Sequence, residues 1–480
     1  MYHYLLFLAV LIPALAGILT VFVKSRRTRN ILLAEALGAT LICAVAAALT
    51  GNGLAGVADM GPFAFRFGGD RLGQLFSVLF SLLFLLSGVF SLEYNEHDEK
   101  QGRFNCFYLL TLGAMMGLSY AQNLFTYYFF YECMTLLSMP LVFHDGTKES
   151  MKAALKYLGY SLFGAALVLF GFFFAGQYCD TTDFIEGGTF NALGQANLGI
   201  ALAAAFCLFL GFGCKAGMLP LHHWLPTAHP VAPAPASAVL SATITKAGVL
   251  GIIRSAYYVF GADALRGTWV QTAMLVLALS TVFMGSMLAY KEKLLKRRLA
   301  WSTVSQVSYA LFGIFLFSSV GLTGALMQVV FHALSKTALF LSAGAIIHQT
   351  GKTKVAELTG LGKKMPIVFF SFAFAALSLV GIPPFAGFVS KWSLATGAIE
   401  AAGPLGVAGA AVLLVSALLT AGYLFPIVIH GCLDEGEFDR PLEPGRKMTV
   451  PLLLLAVLLL LLGLFTGPLA AALPAMTGIL

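Results

Sequence analysis

The chain has 480 residues, of which 59% are hydrophobic and 11% charged, and its formal net charge is +7. A soluble domain carries about 25% charged residues, so no single globular core can hide this apolar surplus, and the solvent left for it is lipid. The positive residues sit in short connectors and form no basic stripe interleaved with exposed aromatics, which excludes nucleic acid as a partner.

In chain order, windows of about 20 apolar residues mark the spans. They fall at 4–23, 31–50, 72–92, 105–121, 123–143, 152–175, 198–219, 236–260, 270–290, 299–319, 322–347, 367–397, 405–431 and 449–472. Positive charge follows the first apolar run, as Lys24-Ser25-Arg26-Arg27, where a signal peptide would place it before the run. The first segment is therefore expected to be an uncleaved span. The predicted class is an all-α, polytopic membrane protein with about fourteen helices. Residues 1–480 form one membrane domain with no soluble domain or long linker.

Loop charge sets the expected orientation. Of 29 basic residues, 21 lie in one alternating set of loops. The other set holds only Arg66, Arg71, Arg254 and Arg266. An even span count follows, in a cell (inner or plasma) membrane, with both termini on the non-cytoplasmic side. The seven cysteines include no CxxC pair, and most lie in or beside apolar runs. No iron–sulfur or zinc site, no cofactor and no catalytic redox centre is expected.

Four lysines remain inside spans: Lys215, Lys246, Lys336 and Lys391. Glu132 is the one carboxylate placed near mid-membrane. Each such charge costs roughly 2.5–3.5 kcal/mol on insertion scales, and groups of this kind normally face a wet cavity or one another. Snorkelling to the headgroups fits Lys246 and Lys336 poorly, because apolar-context sequence flanks each on both sides; it fits Lys391 better. A desolvated amine is held less firmly in its charged form, so it can trade a proton near neutral pH. A carboxylate that moves toward it or away would switch it between holding and releasing. His332 and Lys336 are four apart and share a helix face, which makes the histidine a candidate relay.

Pro383 and Pro384, in Gly-Ile-Pro-Pro-Phe, must break the twelfth span, and Pro220 and Pro226 break the stretch after the seventh. Broken helices at membrane depth are tolerated only inside protein or along water, and they mark ion sites in transporters. Lys215 lies just before one break and Lys391 just after the other. His222, near a break, and His348, at the end of the eleventh span, are candidate proton entries. His222, His223 and His229 near Trp224 lack a cysteine or carboxylate companion, so no metal site is read there. Gly-Phe-Gly-Cys-Lys-Ala-Gly at 211–217 echoes a dinucleotide loop but follows a membrane helix, not a strand.

These blocks carry a resemblance. Gly-Phe-Gly-Cys-Lys-Ala-Gly-Met-Leu-Pro-Leu-His-His-Trp-Leu-Pro-Thr-Ala-His at 211–229 is followed by Ala-Pro-Ala-Pro-Ala-Ser-Ala and Thr-Lys-Ala-Gly. Further blocks are Tyr-Glu at 131–132, His-Ala-Leu-Ser-Lys-Thr-Ala-Leu-Phe-Leu-Ser-Ala-Gly at 332–344 and Gly-Ile-Pro-Pro-Phe-Ala-Gly-Phe-Val-Ser-Lys at 381–391. Together they resemble the signature of the antiporter-like, proton-translocating subunits of complex I, membrane-bound hydrogenases and Mrp-type cation/proton antiporters. The resemblance implies two inverted five-helix repeats, 105–260 (helices 4–8) and 270–431 (helices 9–13), with helices 7 and 12 broken. It also implies that Glu132 pairs with Lys215, that Lys246, His332 and Lys336 form a central wet axis, and that Lys391 exchanges protons at the far end. Thr227 departs from the family pattern, which often has aspartate there. The implied function is the pumping subunit of an oxidoreductase-type translocase. Its partners would be homologous membrane subunits and a hydrogenase-like or quinone-reducing arm. The alternative is an Mrp-type subunit exchanging sodium or potassium for protons.

Overall fold

A chain in hydrocarbon must satisfy its own backbone polar groups, and helices do so within one segment. The computed structural model accordingly is built of helices. It describes all residues except 1, 61–62, 402, 437, 439 and 474–480. The first helices are α1 (Tyr2–Phe22) and α2 (Arg26–Thr50), then a hairpin of β1 (Gly53–Met60) and β2 (Phe63–Gly69), then α3 (Arg71–Tyr94), α4 (Gln101–Ser119), α5 (Leu124–Val142) and α6 (Lys148–Tyr178). Next come α7 (Leu198–Ala216), the short α8 (Leu225–Val231), α9 (Ala234–Phe260), α10 (Trp269–Lys291), α11 (Leu295–Phe315) and α12 (Ser319–Thr350). Then come α13 (Pro366–Val380), α14 (Ala386–Ala401), α15 (Gly403–Cys432) and α16 (Arg446–Leu464), followed by a short helix at Gly467–Ala472.

Ten of these helices are long and apolar enough to cross a bilayer. Helices α4, α5 and α11 and the α13–α14 pair run among them. Several starts are capped as the sequence permits: Asp70, Asn123, Thr147, Thr268 and Ser318 each accept an amide proton from the first turn with their side chains. The hairpin is antiparallel, pairing Gly53 with Gly69 and Val57 with Arg66. Its aromatic residues pack onto helix ends, Phe67 on Phe7 at 5.1 Å and Phe63 on Phe125 at 4.8 Å between ring centroids. The Tyr2 hydroxyl donates to Gly69 O, so the N-terminus lies on the hairpin side. No strand was expected from the sequence at 53–69, because its glycines mask the alternation.

Burial is uneven. The apolar window of α1 is 33% buried, that of α9 is 100% and that of α12 is 94%. These two helices are the centre of the protein, and they carry Lys246, His332 and Lys336. Two stretches of α9, Leu240–Ile244 and Arg254–Phe260, widen to π-helix, a distortion often found at functional sites. The two expected breaks are present and built alike. Helix α7 stops at Gly217 (φ +80°) before Pro220, and α13 stops at Gly381 (φ +91°) before Pro383. In both, a left-handed glycine ends the helix and a proline prevents its continuation. The segment read as one span at 367–397 is thus two helices, α13 and α14. Arg254, counted at a helix end with the loop charges, is instead 1% exposed and donates from both terminal nitrogens to the Asp70 carboxylate, at 2.5 and 2.6 Å. Phe184 and Tyr258 face its guanidinium, each 4.9 Å from ring centroid to Cζ.

Candidate proton-translocation site

Helix α7 delivers Lys215 to the break in its last turn, where it is fully buried. Its ammonium donates to Thr135 Oγ1 on α5 and Ser161 Oγ on α6, both at 2.8 Å, and to the Tyr157 hydroxyl at 3.2 Å. Tyr157 in turn shares a hydrogen bond with Ser138 at 2.7 Å. An ammonium has three donors, and these hydroxyls match all three. The described ion pairs do not include Glu132 with Lys215. Glu132 is half-buried on α5, and its Oε1 has no protein partner. Thr135 is three residues along the same helix, so acid and lysine-bearing hydroxyl are neighbours on the α5 surface. The structure therefore places the expected pair near one another with the lysine held by neutral oxygens.

Lys246, on α9, approaches His332 on α12: Nζ lies 2.6 Å from Nδ1. The ammonium also donates to Ser241 O at 2.8 Å, five residues earlier, within the first π-helical stretch. The other imidazole nitrogen, Nε2, has no protein partner although it is buried. A buried polar atom of this kind calls for water. Lys336 is fully buried one turn along α12 and donates to Leu299 O at 3.0 Å. Among the described residues no carboxylate pairs with Lys246, His332 or Lys336. Two ammonium groups in one low-dielectric centre repel strongly.

Lys391 sits on α14 beyond the second break and reaches back across it. It donates to Leu379 O at 2.6 Å and Val380 O at 3.0 Å, carbonyls of the last turn of α13. Those carbonyls lack helical partners, and a cation there also suits the helix dipole. A hydroxyl contact links this end to the centre: Ser335, beside Lys336, bonds Ser378 at 3.2 Å, and Ser378 also accepts from Gly387 N at 3.3 Å. Gly387 has no room for more, since a Cβ would run into Ser378 O, a backbone atom. Gly387→Ala is expected to cost about 1–3 kcal/mol by forcing the break apart and to lower proton flux with it. Thermal unfolding of the purified protein checks this, and an unchanged melting curve would contradict it.

The two candidate entries differ. His222 is buried beside the first break, against His223 and Trp301, with Nδ1 unpaired. His348 is exposed at the end of α12 and packs on Tyr94. Sequence reasoning passed over two others. His229 is fully buried, stacked on Phe340 at 4.7 Å, and neither ring nitrogen has a protein partner. Lys296 was grouped with loop lysines, yet it is 9% exposed and donates to Ala232 O at 2.6 Å. A cavity of about 540 Å³ on the side away from the hairpin is lined by Lys296, Asp98, His144 and Asp145 and by Pro230–Pro233, next to His229. Asp98, in the connector there, loses favour for its charge through burial. His144 and the Lys100 amide outweigh that and hold its carboxyl below the usual range. The signal for His229 was its place in Thr-Ala-His-Pro, next to a proline in a short helix.

Residues 121–424, from the start of α5 to near the end of α15, match the family described as NADH:quinone oxidoreductase/Mrp antiporter, transmembrane part. The chain belongs to this family. The matched stretch contains Glu132, Lys215, Lys246, His332, Lys336 and Lys391. The antiporter-like subunit is 34% identical over 388 residues to NADH-quinone oxidoreductase subunit N of Desulforudis audaxviator, covering 76% of this chain and 75% of the relative. It is 32% identical over 424 residues to hydrogenase-4 component B of Escherichia coli, covering 84% of this chain and 62% of that longer relative. Among solved structures it resembles a chain of the Mrp complex from Dietzia sp. DQ12-45-1b, with a TM-score of 0.86 at 25% identity, covering 98% of this chain and 96% of that one. The sequence reading of an antiporter-like membrane subunit with relatives in complex I, hydrogenases and Mrp assemblies thus holds.

Proposed function

We propose that this subunit carries protons along Glu132, Lys215, Lys246, His332, Lys336 and Lys391, within a multi-subunit membrane complex driven by a redox partner. The observation that carries the reading is the contact of Lys246 with His332 at the centre, with Lys336 one turn away and, among the described residues, no carboxylate to fix their charge. Protons enter from the side away from the hairpin, through the cavity at Lys296 and past His229 or His222. They pass by way of ordered water at His332 Nε2 to the Ser335–Ser378 contact and Lys391. Glu132, a turn from Thr135, swings toward Lys215 to hold its proton and away to release it. The three hydroxyls keep the lysine in place during release.

Fourteen crossings suit this reading, with α4, α5, α11 and the α13–α14 pair completing the ten long helices. So do two inverted repeats, 105–260 and 270–431, since the two broken helices share a Gly-then-Pro stop. Both termini lie on the non-cytoplasmic side, as the loop lysines favour. The partners are homologous membrane subunits with a hydrogenase-like or quinone-reducing arm. A second reading is an Mrp-type subunit in sodium or potassium exchange; the near end-to-end likeness to a chain of the Mrp complex favours it. Purifying the native assembly separates the two. Iron–sulfur or nickel subunits are expected with it. Their absence, together with sodium-dependent proton flux, would remove the redox reading.

A further inference from the structure

An apolar groove of about 500 Å³ opens between α2, α3, α12 and α16. On α3 it is lined by Arg71, Leu75, Val78 and Leu82, which recur every three or four residues and so share one face. Leu458 and Leu462 of α16 form the opposite wall, and Val330 and Leu334 of α12 close the floor. From Arg71 to Leu82 the groove runs about 16 Å at 1.5 Å per residue. That is close to half the roughly 30 Å hydrocarbon layer, the reach of one acyl chain in one leaflet.

The polar end differs in kind. Arg71 is exposed, and no described side chain of opposite charge pairs with it. Its neighbour Asp70 is not available, because both carboxylate oxygens are taken by Arg254. Arg71 also borders a second, polar cavity of about 490 Å³, lined by Asn52, Gln122, Glu186 and Tyr258. Glu186 is exposed there and likewise has no described ion-pair partner. An arginine thus stands between an apolar slot one leaflet deep and a polar pocket holding a free acid.

We infer that this site binds one phospholipid with an amine headgroup: one acyl chain in the groove, phosphate on Arg71, ammonium toward Glu186. A guanidinium matches phosphate in geometry as well as charge. The groove is lined mainly by apolar side chains, so an acyl chain fills it at little polar cost. The bound chain would rest against Val330 and Leu334, on the helix that carries His332 and Lys336.

Native mass spectrometry of the full chain tests this, after release from nanodiscs of equal phosphatidylethanolamine and phosphatidylglycerol. Wild type is expected to retain one phosphatidylethanolamine. Arg71→Ala should lower retention about tenfold, the loss of one charge-assisted contact. Val78→Phe should do the same by filling the groove, while Arg266→Ala, an exposed arginine away from the groove, should not. Glu186→Gln should abolish the preference for the amine lipid. Retention unchanged in both Arg71→Ala and Val78→Phe would overturn the site. Equal retention of the two lipids by wild type would overturn the headgroup assignment.

Discussion

Lys215→Ala is expected to cut proton flux in vesicles to below about a tenth of wild type, a loss of at least roughly 1.4 kcal/mol of transition-state stabilisation, while the complex still assembles. The amine is fully buried and has no substitute within its hydroxyl cage. Its removal leaves Thr135 and Tyr157 with partners of their own, since Thr135 also donates to Tyr131 O at 3.0 Å and Tyr157 shares a hydrogen bond with Ser138 at 2.7 Å. Folding should therefore suffer less than transport. Glu132→Ala is expected to give the same loss of flux by removing the acid that moves. A pH-sensitive dye in sealed vesicles reads flux, and gel filtration reads assembly. Near wild-type flux in both variants, with intact complexes, would end the idea of a carboxylate-switched lysine.

The second large effect is on stability. Asp70→Ala is expected to destabilise the protein by about 3–5 kcal/mol, because it leaves the Arg254 guanidinium buried without its counter-charge. The same change removes the cap on Gly73 N at the start of α3, worth about 1 kcal/mol. Asp70→Asn separates the two, since asparagine can still cap but cannot neutralise Arg254. It should lose most of the stability, and a mild loss would show that the cap is the larger part. Thermal unfolding in detergent measures both. Melting points equal to wild type for Asp70→Ala would show that the aromatic faces of Phe184 and Tyr258 suffice for Arg254.

What could be read from the chain alone was whatever each segment determines by itself. Apolar length gave the spans, because lipid acts on each helix separately. Lys215, Lys246, Lys336 and Lys391 stood out because the cost of a charge in hydrocarbon does not depend on knowing its partner. The breaks followed from proline and glycine stereochemistry, and the structure places them at Gly217 and Gly381. The hairpin at 53–69 was missed because its pairing, not its composition, makes it a sheet.

Contacts between helices were beyond that reading. Lys246 and His332 are 86 residues apart, and Asp70 and Arg254 are 184 apart. Which side chains meet depends on how each helix is rotated and tilted against its neighbours, and packing of the whole set decides this. For the same reason only the tertiary structure could show Lys215 held by hydroxyls with Glu132 standing off. It also turned Lys296 from a loop residue into a buried one beside the likewise buried His229. Local sequence determined which groups enter the membrane; the assembled bundle decided which of them touch.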